Sequence, residues 1–135
     1  MKETEYRNVD LEIESETDLS PLVRHWGDKV MVLFRGRVGE LHQVTLEHEF
    51  GNFVSPSTPR TYDADACIRA FVEVIHDLPA PARAVWDQCR ARIFDIGIKA
   101  GDASSTFVQN LSEPTLRAVS SIGGSIRITI YPAKP

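Results

Sequence analysis

Residues 6–16 read YRNVDLEIESE. Arg7, Val9, Leu11 and Ile13 alternate strictly with Tyr6, Asn8, Asp10, Glu12 and Glu14. A repeat of two with one apolar row describes a β-strand half-buried on a core, its acidic row turned away. The same split recurs in RIFDIGIK, residues 92–99, where Arg92, Phe94, Ile96 and Ile98 form one row and Ile93, Asp95, Gly97 and Lys99 the other. Turning Asp95 unpaired into an apolar core would be strongly unfavourable, so its row is the open one. The closing run SIRITIYP, residues 125–132, sets Ile126, Ile128 and Ile130 against Ser125, Arg127, Thr129 and Tyr131. Strands that alternate in this way predict a mostly antiparallel sheet with helices on one face only.

The intervening segments supply the helices. In TDLSPLVRHWG, residues 17–27, Leu19, Leu22, Val23 and Trp26 keep helical spacing, Pro21 suits the first turn and Gly27 closes it. KVMVLFRGR and ELHQVTLEHEF follow as two strands with a hairpin turn near Val38 and Gly39. With Val44 and Leu46 inward, Gln43, Thr45, Glu47 and Glu49 point outward. GNFVSPSTPRTY, residues 51–62, is read as a loop. DADACIRAFVEVIHDL carries a stripe of Cys67, Ile68, Phe71, Val72, Ile75 and Leu78, with Asp63 or Asp65 as its cap. PARAVWDQC forms a shorter helix. Ser112 caps a last one, lined by Leu116, Val119 and Ile122, with Leu111 and Leu116 as a hydrophobic staple and Gly123-Gly124 as its end. The expected fold is therefore a single α+β domain over residues 1–135, with about five strands in the order β-α-β-β-α-α-β-α-β.

Charge narrows the partners. The net charge of −4 is unevenly spread: Glu3, Glu5, Asp10, Glu12, Glu14, Glu16 and Asp18 face only Lys2 and Arg7 within the first twenty residues. Nucleic-acid phosphate requires a basic footprint, so it is not expected as partner, whereas a basic protein is. No apolar run approaches the length of a membrane helix, and MKETEYRN lacks the apolar core of a signal peptide, which together lead to the expectation of a cytoplasmic protein. Cys67 and Cys89 fall on helical core positions and read as buried free thiols.

Chemistry-bearing spacings are few. No nucleophile elbow, zinc-protease helix, phosphate loop or dinucleotide fingerprint is present. His42 and His48, six residues apart on one strand, are too distant to share a metal, and in Glu47-His48-Glu49 the imidazole points away from both carboxylates. Ser104-Ser105 has no evident histidine partner. Trp26 and Trp86 lie on apolar stripes and are assigned to the core. The expectation is no catalytic residue, no metal and no cofactor.

The C-terminal half, from the helix at Asp65–Leu78 to the last strand, resembles a family of small bacterial domains of unknown function. Leu111, Ser112, Leu116, Ala118, Ile122, Gly123, Ile128, Ile130 and Tyr131 carry the likeness. What it implies is the α+β fold. The general build, small, acidic and without catalytic motifs, is also similar to that of bacterial toxin-immunity proteins, which implies binding of a basic toxin domain. On this reading the docking surface comprises Asp10, Glu12, Glu47, Glu49, Asp95, Arg127 and Tyr131. Two alternatives stand beside it. One is a small-molecule or peptide-binding module, with or without an enzyme activity, whose pocket lies near loop 51–62 with Phe53, Arg60 and Tyr62. The other is a self-associating protein, a homodimer paired through an edge strand.

Overall fold

The computed structural model describes residues 2–48 and 63–133; Glu49 and the loop 51–62 lie outside them. Among these residues five strands form one sheet: β1 (Glu5–Ser15), β2 (Val30–Val38), β3 (Leu41–His48), β4 (Ala91–Lys99) and β5 (Ser125–Tyr131). Their spatial order is β2-β3-β1-β4-β5. The pairs β1–β3, β1–β4 and β2–β3 are antiparallel, and β4–β5 is parallel. Among the described residues four α-helices connect them: α1 (Ser20–Trp26), α2 (Ala64–His76), α3 (Ala80–Asp87) and α4 (Glu113–Ser121). The order is the expected one with a single addition, a 3-10 turn at Gly27–Lys29. The one parallel pair follows from its connection, because α4 crosses over the sheet between β4 and β5 instead of turning back as a hairpin.

The core lies between the helices and one face of the sheet. Val9, Leu11 and Ile13 of β1, Val44 and Leu46 of β3, and Phe94, Ile96 and Ile98 of β4 supply the sheet side. Leu19, Leu22 and Trp26 of the α1 region, Ile68, Phe71 and Ile75 of α2, Trp86 of α3 and Val119 of α4 supply the helix side. Trp26 and Trp86 meet edge-to-face with centroids 6.3 Å apart. Their indole N–H groups donate to the Val74 carbonyl at 3.3 Å and the Ile122 carbonyl at 2.9 Å, so neither polar tip is left bare in the interior. Both cysteines are free and buried. Burial pushes the Cys89 thiol up to about 11.

Local chemistry accounts for the ends of the elements. Asp63 caps α2 by accepting from the Ala66 N–H at 2.8 Å. Asp65, the other candidate cap, instead accepts from the Ser112 N–H at 2.8 Å and ties α2 to the start of α4. Arg92 donates to the carbonyls of Trp86, Asp87, Cys89 and Gly123, closing the exposed ends of α3 and α4 onto β4. The β2–β3 loop is Gly39-Glu40, with Gly39 at φ +64°, a conformation that favours glycine at the first loop position.

Three sequence expectations need correction. A bulge between Tyr6 and Asn8 reverses the pleat, so Tyr6 stands opposite Ile98 on the core side and Arg7 is exposed beside Glu5. Leu116 does not line α4; the buried positions are Thr115, Val119 and Ile122, and Leu116 is 47% exposed. Thr115 is accommodated inside because its hydroxyl meets that of Ser112 at 2.9 Å. The isoleucines of β5 lie on the helix side, in register with Phe94, Ile96 and Ile98, yet Ile128 and Ile130 are not covered.

Candidate functional site: an acidic row across the open sheet face

The face opposite the helices gathers the carboxylates. Register places Glu47, Asp10, Asp95 and Arg127 in one straight row across β3, β1, β4 and β5. Directly opposed residues of neighbouring strands stand about 5 Å apart at Cβ, and like charges so placed repel. Asp10 has a carboxylate on both sides.

Arg127 and side chains from the adjacent rows organise this line. Arg127 reaches straight across to Asp95 at 3.4 Å and diagonally to Glu12 at 3.0 Å. The Thr129 hydroxyl donates to Asp95 at 2.7 Å. Asn8, placed on this face by the bulge, donates from its amide to Glu47 at 3.4 Å. Asn8 also lies over Gly97, where any larger residue would collide with the Asn8 amide oxygen. Asp10 is served by none of these donors: its Oδ1 is buried with no hydrogen-bond partner. Burial, reinforced by Glu47, Asp95 and Glu12, pushes the Asp10 carboxyl up to about 6.

Of the residues singled out from sequence, Asp10, Glu12, Glu47, Asp95 and Arg127 come together here. Tyr131 stands at the end of the same face, opposite Lys99, with its ring 3.5 Å from the point a Cβ on Gly97 would occupy. Glu49 lies outside the described residues. Asn8 and Thr129 belong to the site but were not singled out. Thr129 is legible as an outward residue next to Arg127, whereas Asn8 reaches its place through a bulge that no local pattern announces.

At the β2 end the same face turns apolar. Met31 stands opposite Glu47 and Phe34 opposite Thr45, and they are 54% and 45% exposed. The surface is thus graded from exposed hydrocarbon through an acidic centre to one paired arginine. Among the described residues, no group of three or more histidine, cysteine or acidic side chains is arranged to hold a metal ion. One open hollow of about 390 Å³ is lined by Lys2, Glu3, Glu5, Arg7, Lys99 and Ala100. No helix among the described residues is long and apolar enough to cross a membrane.

Comparison of the chain with protein-family models, with curated proteins and with solved structures finds no match.

Proposed function

We propose that the chain is a cytoplasmic protein-interaction module whose open sheet face holds a basic protein partner, in the manner of an immunity protein neutralising a basic toxin. The observation that carries this reading is the unbroken Glu47–Asp10–Asp95 row, with the buried Oδ1 of Asp10 accepting from nothing. Three neighbouring carboxylates cost folding stability, and departures of this kind from local consistency concentrate at functional surfaces. A lysine or arginine side chain laid across the row would relieve that repulsion. Met31 and Phe34 would supply an apolar margin to the contact. Charge complementarity of this type speeds encounter and selects the partner.

A pH effect of definite sign follows. A cationic group over Asp10 favours its ionised form, so docking releases a proton and tightens as pH rises through about 6. The test is titration calorimetry against the protein encoded by the adjacent gene, with wild-type chain and with the triple variant Asp10→Lys, Glu12→Lys, Asp95→Lys. Wild type should bind, more weakly at high salt, and the triple variant should lose binding while its circular dichroism is unchanged. Equal binding by a folded triple variant would overturn the proposal.

The alternative of a ligand pocket near loop 51–62 rests on residues outside those described, and no feature of the described residues favours it.

A further inference from the structure

The two edges of the sheet are built differently. β2 carries a bulge between Val32 and Phe34, Arg35 and Arg37 on either side of a glycine, and the Phe34 ring folded back over Gly36. Bulges and charges are the means by which an edge is protected from pairing. β5 has no bulge, and its charge is engaged within its own sheet. Its seven residues, SIRITIY, run without a bulge, proline or lysine. Its one charge, Arg127, is drawn inward to Glu12 and Asp95, and Thr129 is drawn inward to Asp95. On the helix side Ile128 and Ile130 stand 60% and 63% exposed, in line with the buried Ile96 and Ile98 of β4.

The residue pattern of β5 is also self-complementary. A two-fold axis perpendicular to the sheet and passing beside Ile128 would set Ile128 opposite its own copy and Ile126 opposite Ile130 of the second chain. On the other face Arg127 would meet Thr129, and Ser125 would meet Tyr131. No charge would stand directly opposite its like, and every helix-side position would pair isoleucine with isoleucine. Gly124 would stand opposite Pro132, whose missing N–H ends the ladder. The same operation on β2, centred in its unbulged half at Gly36, would set Arg35 against Arg37, which is repulsive.

We infer that a second copy of this chain occupies the β5 edge, joining two five-stranded sheets through an antiparallel β5–β5 pair into one mixed, ten-stranded sheet about Ile128. Such an interface is isologous and closes on itself, leaving no free β5 edge. It continues the core row Phe94, Ile96, Ile98 across the junction and covers the exposed isoleucines with those of the mate. It also keeps both acidic faces on one side of the joined sheet. The inference is independent of the proposed docking function, since it uses the edge and the helix side of β5.

The decisive measurement is sedimentation of the full chain up to roughly 200 µM, a range that covers interfaces of ordinary size and affinity. Wild type should approach twice the 15.1 kDa of one chain. Ile128→Lys, which brings two ammonium groups together on the axis, should associate roughly a hundredfold more weakly, with unchanged circular dichroism. Ile128→Cys provides a readout that does not depend on how the lysine variant folds. Directly opposed residues of an antiparallel pair have Cα separations of about 4.5–5.5 Å, which suit a disulfide. Mild oxidation should therefore give a reducible dimer, and the buried Cys67 and Cys89 supply no competing thiol. A wild-type mass of one chain throughout, a dimer that survives in folded Ile128→Lys, a dimer lost in Phe34→Lys instead, or failure of Ile128→Cys to cross-link would each overturn the inference.

Discussion

β1 and β5 carry the same kind of sequence and meet different fates. Each alternates an apolar row with a polar one, and each turns its apolar row toward the helices. In β1 that row is sealed: Val9, Leu11 and Ile13 have no exposed surface. In β5, Ile128 and Ile130 keep more than half of theirs. Alternation states which face a side chain takes, and position in the sheet decides whether anything covers it. β1 is central, flanked by β3 and β4 and roofed by the helices, whereas β5 is the outer strand beyond β4. Truncation measures the difference. Leu11→Ala should destabilise the fold by about 3 kcal/mol, as expected for a filled core site that cannot collapse. Ile128→Ala should cost about 0.5 kcal/mol or less in urea denaturation of chain dilute enough to be monomeric. Similar losses at the two positions would mean that the helices cover β5 after all.

The acids differ as sharply as the isoleucines. Asp65 is buried but fully engaged: burial pushes its carboxyl up, and hydrogen bonds from Ser112 and Thr115 with the Arg69 guanidinium overcome this and hold it below the usual carboxylate range. Its contribution to stability is present above the unfolded value of 3.8 and is lost as pH falls below it. Asp65→Ala leaves the Ser112 N–H without its acceptor and should cost about 2 kcal/mol by thermal or urea unfolding at pH 7.

Asp10 runs the other way. Its folded value of about 6 exceeds 3.8, so the native state holds a proton that the unfolded chain has released, and stability falls as pH rises between those values. Discounted for the solvent that still reaches the side chain, the displacement amounts to about 1–2 kcal/mol. Asp10→Asn should therefore stabilise the isolated chain by about 1 kcal/mol at pH 7.5 and have little effect near pH 4. An unaltered pH profile in the asparagine variant would show that the carboxylate row is relaxed in solution.

What could be read from the chain follows the range of the forces involved. The faces of β4 and of β1 beyond its bulge, the α2 stripe and the Gly39 turn depend on residues within a few positions of one another, and the local sequence declares them. The acidic face was legible as a face for the same reason. The row Glu47–Asp10–Asp95 was not, because it needs the pairing register of three strands. Asp65 looked like a helix cap because its partner, Ser112, is distant in sequence. The bulge at Arg7 is invisible for a related reason: only the pairing of Tyr6 with Ile98 shows that the pleat has reversed.

Leu116 gives the finest test of local against tertiary reading. Spacing from Ser112 makes it the staple partner of Leu111, a contact that fixes how the chain enters a helix. The fold instead sends Thr115, Val119 and Ile122 inward, spaced four and three apart, which rotates Leu116 out to 47% exposure. The winning interaction is the contact of the buried Thr115 hydroxyl with that of Ser112, since a hydroxyl left inside without a partner costs more than an exposed leucine does. Leu116→Ser should accordingly change unfolding stability by no more than about 0.5 kcal/mol, the range of an ordinary surface substitution. Thr115→Ala, which removes one of the two paired hydroxyls and a buried methyl, should cost more than Leu116→Ser. The reverse ranking would require α4 to be turned on its axis.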